Sequence, residues 1–314
     1  MATARETDLV TVAAVRTGDR KTVEYLFNER QPIYVLADRA AADDQSARRL
    51  KAALGKKRPI KVTLNAKRGT IERVSEPTGR ELDAFTRVRV PLEKPEKIIP
   101  VEVAKIDPTT FNFVDLYLKS PTFRLCTKIV PRYAKAKEIF DFCAQLSCNL
   151  PGPYAVTPCI PFQYVIDGCY ARAHQMRRII TTRYRYCCEK VFSFATANND
   201  RLAVKADKWG GCCVTWWYHV APLIRVRMHL KGFPKKKSLV VAMVIDPGMF
   251  DKPVLLSTWL SAQENTACYA KARVTSYSIQ PGSAYTPSGG GFSTDPNYTA
   301  TEATLIAYKN LTTC

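Results

Sequence analysis

The chain has 314 residues, of which 46% are hydrophobic, and 47 Lys and Arg residues against 28 Asp and Glu residues give it a formal net charge of +19. This length and apolar content suffice for a packed core in one large or two ordinary domains. No run of about 18 apolar residues occurs, so we expect no membrane span and no membrane partner.

Cysteine content and the start of the chain bear on its location. Eleven cysteines are many for a protein of a reducing compartment and ordinary for an exported protein held by disulfides. The opening MATARETDLV lacks the basic-then-apolar pattern of a signal peptide. We therefore expect a secreted protein whose export signal has been removed or replaced, with a cytosolic protein as the alternative. Disulfide pairing stays open, including that of Cys126, Cys143 and Cys187, although Cys148 and Cys159 could close the loop between them.

The positive charge raises the alternative of a basic nucleic-acid-binding protein. Basic clusters occur at 56–61, 177–185 and 235–237, but no zinc-finger spacing, helix-turn-helix signal or aromatic RNA-binding motif accompanies them. We therefore expect a solvated surface and no nucleic-acid partner. Charge of this sign would also attract acidic proteins over long range, an effect that salt screens.

The first 124 residues predict a small α+β domain. Residues 1–20 are polar and mixed in charge, and we expect them to be largely disordered. The patterns that follow predict strands at 23–27 and 33–36, a helix at 43–54, a hairpin of 60–64 with 69–74, a helical turn at 81–85 and a strand at 111–118. Because this part contains no histidine and no cysteine, we expect it to bind, scaffold or inhibit rather than to catalyse.

A cysteine in the second part of the chain lies where it would be chemically useful. After a predicted helix at 134–146, residues 160–166 have strand character, Asp167-Gly168 breaks the run, and Cys169 opens a segment with apolar residues at helical spacing. The unpaired amides and positive dipole end of a first helical turn favour a thiolate, which would lower the pKa of Cys169. The alternative is a buried or disulfide-bonded structural cysteine.

A histidine and an aspartate lie on further predicted strands. Residues 190–196, 212–222 and 239–245 have strand composition, as does the final stretch 301–308. His219 lies on the second of these strands, and Asp246 directly follows the third. His174 is expected to point away from Cys169 because it lies about 140° around the helix, so His219 is the preferred base. The alternatives are a packed core histidine and a carboxylate paired with an arginine or a backbone amide.

Adjacent cysteines raise the question of a metal site. The pairs at 187–188 and 212–213 lack the two-residue spacer that lets both sulfurs of a structural zinc site turn to one metal, and no histidine pair completes them. We therefore expect no metal and no cofactor.

Sequence blocks in the second part resemble the signature of the bacterial protein-glutaminases, secreted enzymes that deamidate glutamine side chains in proteins. The blocks follow the family's order: DGCYARAH at 167–174, CEK at 188–190, CCV leading to WYHV at 212–220, and IDP at 245–247. The resemblance puts the family's catalytic triad on Cys169, His219 and Asp246.

The resemblance also implies an architecture. We expect an α+β protein in which a small α+β inhibitory pro-domain, residues 1–124, precedes a catalytic protein-glutaminase domain, residues 125–314. The catalytic domain would be papain- or transglutaminase-like, with a helix-borne cysteine packed on an antiparallel sheet. The pattern at 49–62 is similar to the family's pro-region and would put Ala53 and Leu54 at the substrate position. An activating protease would cut the accessible join near Arg124.

The expected reaction follows from the triad. The Cys169 thiolate attacks the side-chain amide carbon of a glutamine in a protein or peptide, His219 protonates the departing ammonia, and water hydrolyses the thioester. Candidate donors to the oxyanion are the backbone amide of Cys169 and the indole of Trp216 or Trp217. A transglutaminase-like acyl transferase and an intracellular effector deamidase, which would share the triad, remain alternatives. The preferred protein substrate and the oligomeric state stay open.

Overall fold

The computed structural model of the chain describes residues 5–19, 22–37, 44–93, 95, 97–100, 115, 128–151, 158–228 and 238–314. Helices and strands are mixed throughout these residues, in agreement with the predicted α+β class. None of the helices in the described ranges is long and apolar enough to cross a membrane.

The N-terminal part forms a closed five-stranded barrel, here called the N-terminal barrel. Its elements are β1 (Arg5–Thr17), β2 (Val23–Phe27), β3 (Arg30–Leu36), α1 (Asp44–Lys56), β4 (Pro59–Asn65) and β5 (Thr70–Ser75). The strands close in the order β1-β2-β3-β5-β4, and the pair β3 and β5 is parallel. Burial alternates along β4, which turns Ile60, Val62 and Leu64 into the barrel core, and α1 adds Leu50 and Ala53.

Residues 5–17 are not disordered, contrary to the prediction, because they form the longest strand of the barrel. One half of β1 pairs with β4 from Arg5 opposite Asn65, and the other half pairs with β2 as far as Thr17 opposite Val23. Val10 and Val12 from this strand lie in the core. The mixed polar composition of the strand is therefore compensated by pairing with two neighbours and by burial of its apolar positions.

The segment after the barrel and the C-terminal part supply the remaining elements. In chain order they are α2 (Gly79–Val88), β6 (Val90–Pro91), β7 (Ile99–Pro100), α3 (Tyr133–Gln145), α4 (Cys169–Thr182), β8 (Glu189–Phe194), β9 (Leu202–Lys205), β10 (Cys213–Trp216), β11 (Tyr218–Met228), β12 (Leu239–Val244), β13 (Val254–Leu255), α5 (Leu256–Ser261), β14 (Ser276–Gln280), β15 (Ala284–Ser288), β16 (Gly291–Thr294) and α6 (Thr299–Tyr308). A six-stranded sheet with the order β13-β12-β11-β8-β14-β7 is antiparallel at each pairing, and α4 packs against its strand β11.

Three predicted strands differ from the structure. Residues 160–166 form buried turns with a single bridge at Ile160, so their apolar character reflects burial rather than strand pairing. Residues 301–308 belong to helix α6, where Thr301, Leu305 and Tyr308 recur at helical spacing on the buried side. The predicted strand 212–222 is interrupted at Trp217 between β10 and β11. The predicted strand 111–118 lies outside the described residues except for Asp115.

Part of the segment between the barrel and α3 is attached to the C-terminal sheets. Strand β6 pairs with β16, and β7 pairs with β14 at the edge of the six-stranded sheet. Further along, the carboxylate of Asp115 accepts hydrogen bonds of 2.7 Å from the backbone N–H and the hydroxyl of Ser257. Some residues before position 124 are therefore fixed on the C-terminal part.

Disulfides connect most of the described cysteines. Bonds join Cys148 to Cys159, as the loop between them suggested, Cys212 to Cys314, and Cys213 to Cys268, and Cys187 is also disulfide-bonded. Neighbouring residues of an extended chain point to opposite sides, which is why the adjacent Cys212 and Cys213 take different partners. The free cysteines among the described residues are Cys143, Cys169 and Cys188, all buried.

Candidate active site

Cys169 is the first residue of α4, as predicted, and is only 1% exposed. The preceding Gly168 has a φ of +81°, in the left-handed region that favours glycine. A Cβ at this position would also lie 2.8 Å from the ring of Tyr308. Glycine is therefore required at the sharp turn that brings the chain from Asp167 into the helix and places Cys169 at its first position.

The electrostatic environment of Cys169 differs from the prediction. Burial raises the pKa of the thiol well above its usual value, and the nearby Arg172 and a backbone hydrogen bond with Val220 oppose this only in part. The helix N-terminus alone was expected to lower this pKa. In the structure desolvation outweighs that effect and favours the neutral thiol.

His219 and Asp246 are brought together by neighbouring antiparallel strands. His219 is the second residue of β11, Asp246 follows the end of β12, and Nε2 of His219 lies 2.8 Å from Oδ2 of Asp246. The indole N–H of Trp259 donates to the same oxygen at 3.0 Å. Burial by itself would raise the pKa of Asp246, but the hydrogen bonds from His219 and Trp259 lower it below its ordinary value. A carboxylate on Nε2 keeps the proton there, so Nδ1 of His219 is the nitrogen available to a reacting group.

Two tryptophans hold the imidazole ring of His219. Trp216 stacks on it with the ring centres 4.8 Å apart and the planes at 13°, and Trp259 stacks with 5.3 Å between centres and 23° between planes. The indole N–H of Trp216 donates to the backbone carbonyls of Val165 and Ile166. Trp216 is therefore a support for the histidine and not the oxyanion donor that the sequence suggested.

A glutamine from the N-terminal barrel fills the space between Cys169 and His219. Gln31 lies on β3 and is fully buried. Its side-chain oxygen accepts a hydrogen bond from the backbone N–H of Cys169 at 3.2 Å. Its side-chain nitrogen lies 2.9 Å from Nδ1 of His219. A primary amide thus has its oxygen on the predicted oxyanion donor and its nitrogen on the predicted base.

The backbone around Gln31 is also held by the C-terminal part. The backbone N–H of Gln31 donates to Oδ1 of Asp167, and its carbonyl accepts from the backbone N–H of Trp217, both at 3.2 Å. The indole N–H of Trp217 donates to the carbonyls of Arg30 at 2.7 Å and Phe27 at 3.2 Å. The Trp217 indole therefore binds the main chain beside the glutamine, and it is not placed as a donor to the amide oxygen.

Arg30, the neighbour of Gln31, carries the charge at this contact. Its guanidinium pairs with Asp167 at 2.9 Å and, within the barrel, with Glu6 at 2.9 Å and Asp8 at 3.0 Å. It also contacts the hydroxyl of Tyr308. A buried guanidinium is thus surrounded by carboxylates from both parts of the chain.

The predicted plug residues lie elsewhere. Ala53 is 1% exposed inside the barrel core, and Leu54 packs against that core from the same helix, α1. The prediction that they occupy the substrate position is wrong, because the turn that precedes and begins β3 reaches the cleft while α1 faces the inside of the barrel. Arg124 lies outside the described residues.

A second buried cluster lies behind the site. Nζ of Lys190 is 2.6 Å from Nδ1 of His174, and Nε2 of His174 is 3.1 Å from the carbonyl of Asp295. Burial, with Lys190 next, lowers the pKa of His174 to about 2. His174 is therefore a neutral residue bonded within this cluster and away from Gln31.

Comparison with known proteins assigns the chain to a family. A family model described as Glutaminase matches residues 136–263, which include Cys169, His219 and Asp246. The crystal structure of a pro-protein-glutaminase is 24% identical and superposes with a TM-score of 0.69, covering 99% of this chain and 95% of that chain. At this identity the likeness shows the fold.

Two structures of protein-glutaminase are more similar in sequence over the C-terminal part. A crystal structure is 31% identical over 60% of this chain and 92% of that chain, with a TM-score of 0.50. The NMR structure of protein-glutaminase from Chryseobacterium proteolyticum is 32% identical over 59% of this chain and 91% of that chain, also with a TM-score of 0.50. No curated protein sequence matches the chain significantly.

Proposed function

Since the chain belongs to the protein-glutaminase family, we propose that it is a hydrolase that deamidates glutamine side chains in proteins and peptides and that it is made as a zymogen. Residues 1–124 would be the inhibitory pro-domain and residues 125–314 the catalytic domain. The observation that carries the proposal is the side-chain amide of Gln31, which lies between the backbone N–H of Cys169 and Nδ1 of His219. The site accommodates the chemical group on which it would act.

The proposed reaction has two covalent steps. His219 takes the thiol proton of Cys169 on Nδ1, the sulfur attacks the amide carbon of the substrate, and the same proton passes to the departing nitrogen as the C–N bond breaks and ammonia leaves. Water then attacks the thioester with His219 as base, which yields glutamate and restores the thiol. Asp246, bound to Nε2, stabilises the imidazolium that forms in both steps.

The backbone N–H of Cys169 is the proposed donor to the oxyanion. It already binds the amide oxygen of Gln31, at 3.2 Å, and a tetrahedral intermediate would carry its negative charge on that oxygen. The arrangement of a helix-borne cysteine with histidine and aspartate on adjacent antiparallel strands supports a papain- or transglutaminase-like catalytic domain.

Inhibition would have a steric and an electrostatic component. Gln31 fills the position of a substrate side chain, and its main chain takes the hydrogen bonds of Asp167 and Trp217. In the closed site burial also raises the pKa of Cys169, and a neutral thiol is a weak nucleophile.

Activation would need cleavage by a protease in the join near Arg124. Cleavage would convert an intramolecular plug, which acts at high effective concentration, into a dissociable fragment. The pairing of β6 and β7 with C-terminal strands means that the fragment would be retained until it is degraded or displaced. Disulfides across the C-terminal part support secretion as the location.

The test is ammonia release from casein by the full chain after limited proteolysis, with the Cys169→Ala chain treated identically. We expect ammonia release without lysine-dependent cross-linking, and a loss of at least about a thousandfold in the variant. Cross-linking with added lysine-containing protein would instead indicate an acyl transferase. Unchanged activity of folded Cys169→Ala would contradict the assignment of the nucleophile.

A further inference from the structure

We propose that Asp167 forms a subsite for a basic side chain at the residue that directly precedes the target glutamine, so that Arg-Gln and Lys-Gln sequences are preferred substrates. The inference rests on the proposed function, because it treats Gln31 and its neighbours as occupants of the substrate cleft. It goes beyond that function by naming the substrate class and the residue that selects it.

The alignment of the occupying segment fixes which substrate residue would meet Asp167. The side-chain amide of Gln31 lies at Cys169 and His219, and its backbone N–H and carbonyl are bound by Asp167 and by the backbone N–H of Trp217. Backbone groups of this kind are present in every peptide. A substrate glutamine held by the same bonds would place its preceding residue where Arg30 now lies.

The carboxylate of Asp167 is held in place to receive a cation. It is fully buried, and its Oδ1 accepts from the backbone N–H of Gly168 at 2.8 Å. Its Oδ2 accepts from the hydroxyl of Tyr308 at 3.0 Å and from the guanidinium of Arg30 at 2.9 Å. Oδ1, which also accepts from the backbone N–H of Gln31, thus binds main-chain donors, and Oδ2 faces the cation.

The subsite would remain when the barrel leaves. Asp167, Gly168 and Tyr308 belong to the C-terminal part, whereas Glu6 and Asp8, which also pair with Arg30, belong to the barrel. A substrate cation would therefore meet Asp167 without those two competing carboxylates. Because a carboxylate in such a recess is costly to leave without a counter-charge, a cationic side chain gains more there than a neutral one of the same shape.

Local and long-range charge effects would then have opposite signs. Residues 125–314 contain 23 Lys and Arg residues against 11 Asp and Glu residues, and this net charge of +12 favours encounter with acidic proteins, an effect that falls with salt. Direct contact with Asp167 favours one basic residue at one position of the bound segment. The preferred target is therefore a basic residue followed by glutamine within an otherwise acidic or neutral surface.

The test uses the full chain activated by limited proteolysis and peptides with the sequence of residues 27–34, FNERQPIY. Four peptides carry Arg, Lys, citrulline or Glu at the position before glutamine, and kcat/KM is measured from ammonia release. Citrulline matches arginine in shape without its charge. We expect kcat/KM for the Arg peptide to exceed that for the citrulline peptide about tenfold, with Lys close to Arg and Glu lowest.

Variants connect the preference to Asp167. Asp167→Asn retains a side-chain oxygen for the N–H of Gly168, and the Arg-to-citrulline ratio should fall to about one because the charge is gone. Tyr308→Phe provides a second variant if the first does not fold, and it should reduce the ratio by weakening the hold on Oδ2. Equal rates for Arg and citrulline peptides, or an unchanged ratio in Asp167→Asn, would overturn the subsite while ammonia release upholds the proposed function. Failure of every peptide and of casein to release ammonia would overturn both.

Discussion

The side-chain nitrogen of Gln31 lies 2.9 Å from Nδ1 of His219. In the proposed reaction this nitrogen corresponds to the leaving group, and Nδ1 is the atom that would give it a proton. The opposite nitrogen of His219 is bound by Asp246, so the imidazole already connects the carboxylate to the amide. In the proposed zymogen the N-terminal barrel would therefore do more than cover the cleft, because it presents a side-chain amide to Cys169 and His219.

The first prediction compares the same substitution at two positions, Gln31 in the cleft and Ala53 in the barrel core. Gln31→Trp cannot fit the fully buried space between Cys169 and His219, so it should displace the turn and raise the activity of the uncut chain toward casein at least about tenfold. Ala53→Trp overpacks the barrel core instead, which should lower the free energy of unfolding by about 1–3 kcal/mol. The unfolding temperature should therefore fall, and activity at 25 °C should not rise. Ammonia release and thermal unfolding of both chains are the measurements. Activation by Ala53→Trp alone would contradict the placement of Gln31.

The second prediction concerns thiol reactivity. In the uncut chain Cys169 is 1% exposed and burial raises its pKa, so iodoacetamide at neutral pH should leave it unmodified. Removal of the barrel should make Cys169 the residue that is alkylated. The free cysteines Cys143 and Cys188 are internal controls, because they are buried in the core of the C-terminal part and should stay unmodified in both forms. Peptide mapping locates the label, and equal labelling of Cys169 before and after cleavage would contradict the closed site.

The third prediction is a pH dependence of stability from His174. Its pKa is lowered from 6.5 to about 2, so the unfolded state takes up a proton below pH 6.5 that the folded state does not. The stabilisation is therefore present above the unfolded pKa and is lost as pH falls. Relative to His174→Gln, the wild-type free energy of unfolding should fall by about 1.2 kcal/mol between pH 6 and 5, and by about 1.4 kcal/mol per pH unit below that. Glutamine at this position keeps a side-chain oxygen that can accept a hydrogen bond from Nζ of Lys190, which contacts His174 in the wild type. Parallel stability curves would contradict a neutral His174.

The fourth prediction tests whether Trp259 supports the proposed triad. Trp259→Phe removes the N–H that donates to Oδ2 of Asp246 while keeping an aromatic ring against His219. Loss of a hydrogen bond to a charged group is worth about 1.5–3 kcal/mol, so kcat/KM of the activated enzyme should fall at least about tenfold. Trp209→Phe is the matched control, since its indole N–H donates to the carbonyl of Gly248 and not to the triad. Equal kcat/KM values for the two variants would contradict a catalytic role for the hydrogen bond from Trp259 to Asp246.

The sequence was most informative where several residue types had to coincide. Cys169 at the start of a helix and His219 and Asp246 on or after neighbouring strands were predicted together, and the structure has them in those positions. Gln31 was missed because it looks like any glutamine near a turn, and only the three-dimensional docking of the barrel identifies its partners. The prediction of a lowered pKa for Cys169 took only the helix dipole into account. Burial by the docked barrel raises this pKa, and that burial cannot be read from the local sequence pattern.

Errors in secondary structure have a similar origin. Strand β1 was predicted as disordered because its polar composition hides two neighbours, β2 and β4, that only the closed barrel supplies. Helix α6 was predicted as a strand because its threonines and apolar residues favour either state, and burial of Thr301 and Leu305 on one side selects the helix. Composition is sufficient to predict secondary structure where a local pattern determines it, and insufficient where contacts with distant segments determine it.

The most direct measurement of the central claim is the time course of ammonia release from casein during limited proteolysis of the full chain. If the barrel inhibits the site, the uncut chain releases very little ammonia, release rises as the join near Arg124 is cut and rises further as the N-terminal fragment is degraded, and Cys169→Ala releases none at any stage. Full activity of the uncut wild-type chain toward casein would contradict inhibition by the barrel and by Gln31.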